Sequence, residues 1–173
     1  MEDDLAFILG TSRSDGNTRR LLNYVNREMN ASVVDLATLN ISYFDYEGKN
    51  LDDDFIPTIE SLQDYSMLGF VSPMYWYTVS AQLKIFVDRL SDLLGPRKDL
   101  GRKLRGKSTF LIATGNTETE ITSGMEEVIA KTSEYLGMNY QGAFYGHVRE
   151  DLILEPQMLK DAAGFMSRIL ESS

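Results

Sequence analysis

The chain of 173 residues has no cysteine and one histidine, His147. The first absence excludes disulfides, thiolate zinc sites, cysteine-ligated iron–sulfur clusters and a cysteine nucleophile. The second leaves any histidine triad or histidine-rich metal site resting on His147 alone. Proline is scarce, at four residues. Long apolar runs are missing too, and none approaches the roughly 20 residues that span a bilayer. The first residues, Met1-Glu2-Asp3-Asp4, are acidic where an export signal is basic, so cytoplasmic residence with no membrane partner is expected. Basic residues are in deficit: 17 Lys and Arg against 26 Asp and Glu give a net charge of −9, which argues against a nucleic-acid partner.

What is present is an ordinary globular composition, 43% apolar and 25% charged, at a length that suits one domain over residues 1–173. Continuous apolar segments at Leu5–Leu9, Met67–Val71 and Thr109–Ala113 predict strands buried on both faces, with weaker strands at Ser32–Leu36 and Gly142–Val148. Between them, apolar residues recur at helical spacing over 17–29, 55–63, 79–94, 122–136 and 156–170. The stripe Val79, Leu83, Phe86, Val87, Leu90 and Leu94 is the clearest, and Gly95-Pro96 ends it. Five strands alternating with five helices predict an α/β, doubly wound, parallel sheet covered on both faces. Such a sheet binds its ligand at the carboxyl ends of the strands.

The residues after the strands therefore carry the functional argument. The first such loop, Gly10-Thr11-Ser12-Arg13-Ser14-Asp15-Gly16-Asn17-Thr18, follows a strand and opens a helix. It offers small donors, and helix-start amides favour an anion. Arg13, Arg19 and Arg20 against Asp15 make it locally basic. Cations in a first helical turn oppose the helix dipole, so Arg19 and Arg20 are expected near a phosphate. The loop lacks the lysine that reaches the β- and γ-phosphates of a triphosphate, so a monophosphate fits better. The second loop, Ser72-Pro73-Met74-Tyr75-Trp76-Tyr77, puts four large side chains in succession, able to wall a flat ring or to form a subunit contact. The third, Thr114-Gly115-Asn116-Thr117-Glu118, is small and polar.

Two other readings fail on context. Gly101-Arg102-Lys103-Leu104-Arg105-Gly106-Lys107-Ser108 matches the letters of a P-loop, but it precedes a strand rather than following one. It is expected at the amino end of the sheet, as a solvated connection. A phospho-receiver needs an aspartate after the third strand, where Ser72-Pro73 stands.

Together the first loop and the segment Ser72-Pro-Met-Tyr-Trp-Tyr-Thr-Val-Ser-Ala-Gln-Leu-Lys-Ile-Phe-Val-Asp-Arg89 resemble the flavodoxin-like NAD(P)H-dependent FMN reductases. The resemblance implies a flavodoxin-like three-layer fold with a five-stranded parallel sheet ordered 2-1-3-4-5, FMN as cofactor, and NADPH or NADH as donor. By that likeness, Ser12, Arg13, Gly16, Asn17 and Thr18 surround the FMN phosphate. Pro73, Met74, Tyr75 and Trp76 line its isoalloxazine, and Thr114, Gly115 and Asn116 approach the other side of the ring. Lys84, Asp88 and Arg89 are expected to brace a helix. Tyr77 stands where the family often has glycine. The family also implies a homodimer or homotetramer and a small acceptor: a quinone, free flavin, or an azo or nitro compound. The alternative is a flavodoxin-type electron carrier that docks on redox proteins. No catalytic side chain and no metal is expected, because the flavin carries the chemistry.

Overall fold

A computed structural model describes residues 4–116, 123–148 and 154–171. Five parallel strands form the central sheet: β1 (Leu5–Leu9), β2 (Ser32–Asp35), β3 (Met67–Pro73), β4 (Ser108–Gly115) and β5 (Asn139–His147), in the order β2-β1-β3-β4-β5. The helices are α1 (Asn17–Asn26), α2 (Phe55–Ser61), α3 (Ala81–Arg89), α4 (Lys98–Lys103), α5 (Ser123–Leu136) and α6 (Pro156–Glu171).

The alternation of side chains along each strand divides the core into two. Phe7, Leu9, Val71, Phe110 and Ile112 pack beneath α1 and α6. Ala6, Ile8, Phe70, Leu111 and Ala113 face the opposite way, against α2, α3, α4 and α5. This is why β1 and the middle stretches of β3 (Met67–Val71) and β4 (Phe110–Ala113) carry no polar side chain: each is covered on both faces. β1 lies between β2 and β3, with Phe7 opposite Val33 on one side and Gly69 on the other. The chain leaves β1 toward α1 on one face and β3 toward α3 on the other, so a crevice opens beyond Leu9 and Pro73.

Several boundaries differ from the periodicity. β2 stops at Asp35, because Leu36–Thr38 is a 3-10 turn capped by the Asp35 carboxylate, which accepts from the Ala37 amide at 3.1 Å. α1 stops at Asn26, whose side chain bonds both the amide and the carbonyl of Ala31, at 2.8 and 2.9 Å. α3 gives way to a 3-10 turn at Leu90–Leu94. The expected solvated connection before β4 contains α4, which buries Leu100 and Leu104 against the core. The P-loop-like segment ends at the amino side of β4, where the Lys107 ammonium donates to the carbonyls of Gln63 (2.7 Å) and Tyr65.

The acidic stretch between β2 and α2 is held by one buried cation. The Arg89 guanidinium meets Asp53 at 2.5 Å and Asp92 at 2.6 Å, and donates to the carbonyls of Ser42 (3.0 Å) and Asn50 (2.8 Å). It lies over the Phe55 ring at 4.7 Å. Burial works against the charge on Asp53, but Arg89 and the amides of Ser42 and Phe55 outweigh it and hold the carboxyl below its ordinary range. Lys84 and Asp88 pair at 2.5 Å along the outer face of α3. Both bracing interactions agree with the expectation from the sequence.

Candidate active site

The crevice beyond β1, β3 and β4 is a cavity of about 330 Å³, toward the lower end of the roughly 300–1,000 Å³ usual for ligand sites. Three strand ends build it. Thr11 and Arg13 enter from the loop after β1, with Gly16, Asn17 and Thr18 at the start of α1. Pro73, Met74 and Tyr75 close one side, and Thr114, Gly115 and Asn116 close another.

The start of α1 is unusual in what it leaves open. Gly16 precedes the helix with an extended backbone and makes no side-chain cap, and no acidic residue occupies the first turn. Helix-start amides are ordinarily satisfied by a side chain, by water or by a ligand. Here they meet a cavity whose described lining includes Arg13 and no carboxylate. The Thr18 hydroxyl is buried and shares a 2.7 Å hydrogen bond with the Thr114 hydroxyl, tying the helix start to the end of β4.

A second set of bonds holds the strand ends in place. Ser80 caps α3, its hydroxyl accepting from the Leu83 amide at 3.1 Å and donating to the Gly10 carbonyl at 2.7 Å. Its own amide donates to the Ser72 hydroxyl at 2.9 Å. Gly10 lies so close to α3 that a Cβ there would fall 2.5 Å from the Leu83 Cβ. At Gly115 a Cβ would meet the ends of side chains, the Tyr145 hydroxyl and the Met74 methyl, rather than backbone. The Met74 amide donates to the Thr114 carbonyl at 2.6 Å, which joins the second and third loops.

Of the residues expected from the sequence, the structure gathers Arg13, Gly16, Asn17, Thr18, Pro73, Met74, Tyr75, Thr114, Gly115 and Asn116 around this cavity. Ser12 and Trp76 are not in its lining. The Ser12 hydroxyl instead lies 3.1 Å from the Tyr75 hydroxyl, linking the first loop to the second. Trp76 is 93% exposed. Thr11 and Val148 join the lining without having been anticipated. Thr11 lay inside the first loop, but nothing in the spacing separated it from its neighbours. Val148 arrives because its amide donates to the Gly115 carbonyl at 2.7 Å beside β5. His147 ends β5 but is not in the described lining. Thr117 and Glu118 of the third loop lie outside the described residues.

One expectation is corrected. Arg19 and Arg20 are not explained by a phosphate. Arg19 donates to the Ser14 carbonyl at 3.2 Å and pairs with Asp35 at the end of β2, while Arg20 is exposed and does not border the cavity. Arg13 is the arginine in the described lining.

Comparison with known proteins places this architecture. The NADPH-dependent FMN reductase family matches residues 4–150. A Bacillus subtilis (strain 168) protein, YwqN, named as a candidate NAD(P)H-dependent FMN-containing oxidoreductase, is 27% identical over 175 residues, covering 95% of this chain and 97% of its own. The solved Trp repressor binding protein from Bacillus subtilis superposes with a TM-score of 0.76 at 26% identity, over 95% of this chain and 98% of that one. General stress protein 14 from Treponema denticola, solved in complex with FMN, shares the fold at a TM-score of 0.68 and 15% identity, over 98% and 99% of the two chains. The donors that converge beyond β1, β3 and β4 suit a flat ring carrying one phosphate, and the chain belongs to the NADPH-dependent FMN reductase family as an FMN-dependent oxidoreductase.

Proposed function

We propose that the cavity beyond β1, β3 and β4 holds FMN, takes reducing equivalents from NADPH or NADH, and passes them to a small acceptor such as a quinone, free flavin, or an azo or nitro compound. The observation that carries this reading is the uncapped start of α1, opening into a cavity that contains Arg13 and, among the described residues, no carboxylate. Arg13, the amides of the first turn and Asn17 would hold the phosphate there. Thr18 keeps the helix start fixed through Thr114. Pro73, Met74 and Tyr75 on one side and Thr114, Gly115 and Asn116 on the other would hold the isoalloxazine. Ser12 acts indirectly, holding the Tyr75 hydroxyl.

When bound, FMN supplies the hydride-accepting and hydride-donating chemistry. The chain's own contribution is placement. The described lining holds no carboxylate, imidazole or ammonium, the groups that most often move protons in catalysis. The residues therefore bind and orient rather than shuttle protons. The tie from Ser80 to Gly10 and Ser72 keeps the ends of β1 and β3 at fixed separation, so the phosphate loop and the ring loop cannot drift apart.

The same reading extends to the whole chain: residues 1–173 work as one FMN-binding domain, in the cytosol, as a homodimer or homotetramer. Among the described residues no helix is long and apolar enough to cross a membrane. Exposed Tyr75, Trp76 and Tyr77, together with Leu94 and Tyr135, supply apolar surface for subunit contacts.

Rapid mixing tests the activity. The FMN-loaded protein mixed anaerobically with NADPH or NADH should lose its flavin absorbance within seconds with at least one nucleotide, and a quinone should restore it. Bleaching no faster than that of free FMN with both nucleotides would refute the reading.

A further inference from the structure

The end of the sheet opposite the flavin cavity carries a basic cluster that the proposed activity does not use. α4 leads into β4 and α5 ends just before β5, so their junction lies at the amino ends of the strands. A cavity of about 230 Å³ opens there, and its described lining includes Lys98, Arg102 and Arg105 and no carboxylate. The buried Leu93 and Leu136 also line it. So do the exposed Leu94 and Tyr135, part of the apolar surface assigned above to subunit contacts.

Three cations around one cavity repel one another. Lys98 and Arg102 lie four residues apart on α4, a spacing that sets like charges side by side. Partners are plentiful in a chain of net charge −9. Arg97, next to Lys98, finds Glu60 at 2.8 Å and Asp99 at 3.3 Å, and Lys131 on α5 finds Glu134 at 2.9 Å. Lys98, Arg102 and Arg105 make no ion pair among the described residues. Helix capping does not account for them either. α5 closes on its own backbone: the Met138 amide donates to the Ser133 carbonyl at 2.8 Å, and the Gly137 amide to the Glu134 carbonyl at 3.0 Å.

Packing fixes where these cations stand. A Cβ on Gly101 would fall 2.4 Å from the Leu93 carbonyl oxygen, so α4 lies hard against the preceding turn beside Arg102. The Arg105 stem runs along Gly137, its Cγ 3.2 Å from where a Cβ would stand, and the Gly106 amide donates to the Gly137 carbonyl at 2.8 Å. Lys107, the lysine of the P-loop-like letters, is committed to the Gln63 and Tyr65 carbonyls and is not in this lining. Side chains, not a phosphate loop, give the cavity its charge.

We infer that this cavity is a second anion site, in which Lys98, Arg102 and Arg105 hold a diphosphate group, either free or carried by a nucleoside. A guanidinium fork takes two phosphate oxygens at once, and three cations match a compact anion of several charges. The volume lies below the roughly 300–1,000 Å³ usual for ligand sites, so the anion fills the cavity and a nucleoside extends outside it. The inference stands apart from the flavin reading, since the two described linings share no residue.

The protein, saturated with FMN to fill the start of α1, is titrated by calorimetry with inorganic pyrophosphate and with ADP in metal-free buffer. The amides of Gly101, Gly106 and Gly137 are followed by NMR. Saturable binding of pyrophosphate tighter than about 1 mM is expected, with shifts at those three amides and none at Gly10 or Gly16. Arg102→Gln combined with Arg105→Gln should weaken pyrophosphate about tenfold and leave the melting temperature unchanged or higher, because a repulsive pair is gone. Lys160→Gln removes the same kind of charge from α6 and should change affinity less than about twofold. Equal affinity for the two ligands assigns the site to the free anion, and tighter ADP at the same three amides assigns it to a nucleotide. Pyrophosphate affinity weaker than about 1 mM, or shifts confined to Gly10 and Gly16, would overturn the inference. So would equal weakening by Lys160→Gln and the arginine pair. An arginine pair variant whose oligomer dissociates while pyrophosphate affinity is kept would also overturn it, and assign the cations to a subunit contact. A protein that binds no FMN refutes the flavin reading, and the three amides still decide this one.

Discussion

Arg89 illustrates how much one side chain decides. It is 1% exposed and makes ion pairs with Asp53 and Asp92, and it also binds two carbonyls of the loop between β2 and α2. Leu39, Ile41 and Leu51 of that loop pack against the core, and Arg89 ties down its acidic and polar remainder. Removing the guanidinium leaves two buried carboxylates unpaired, so Arg89→Met should cost about 3–5 kcal/mol in chemical denaturation. Arg89→Lys should recover only part of the loss, because an ammonium cannot span four partners in a plane. Acid weakens the same link. The Asp53 carboxyl is held below its ordinary range in the folded chain, so its contribution is complete above the unfolded value of roughly 3.9 and fades as pH falls through the lower folded value. An Arg89 variant with parental stability would contradict this account.

At the scale of elements, the interior strands were legible because burial on both faces leaves an unbroken apolar run. Leu5–Leu9 matches β1 in full, and Met67–Val71 and Thr109–Ala113 fall within β3 and β4. The edges were less legible. β5 begins at Asn139 rather than Gly142, because an edge strand gains its bonds from Ser108 and Thr109 of β4, not from its own pattern. α4 was hidden by its charge and by Gly101. Only the Leu100 and Leu104 pair, four apart, betrayed it. At the site, the ring and phosphate loops could be located from strand ends, but side-chain partners could not. Arg19 pointed to an anion, and that anion is Asp35, sixteen residues away. The positive φ of Trp76 and Tyr77 left no trace, since neither glycine nor asparagine marks the turn.

The contact between β1 and α3 belongs to this scale as well. Gly10→Ala would place a Cβ against the Leu83 Cβ and, at 2.8 Å, the Leu83 amide, where backbone must move. The expected loss is about 1–3 kcal/mol in thermal or chemical unfolding. FMN affinity should fall with it, because the shift separates the loops that Ser80 joins. Full stability in that variant would mean that the close approach is not required.

For the whole molecule, the net charge of −9 and an anionic cofactor are in apparent conflict. Distance resolves it. Charges farther than about 10 Å are largely screened at 0.1 M ionic strength, whereas Arg13 and the open amides of α1 act at contact. The missing cysteine and the single histidine fit the same picture, because the bound flavin rather than a side chain carries the electrons. The central claim is that the phosphate is held at the start of α1 by Arg13. The direct measurement is a titration of the apoprotein with FMN and with riboflavin, repeated for Arg13→Ala. Loss of a charge-assisted contact should weaken FMN about 10–100-fold and leave riboflavin nearly unchanged. An equal loss for both ligands, or none for FMN, would contradict the account.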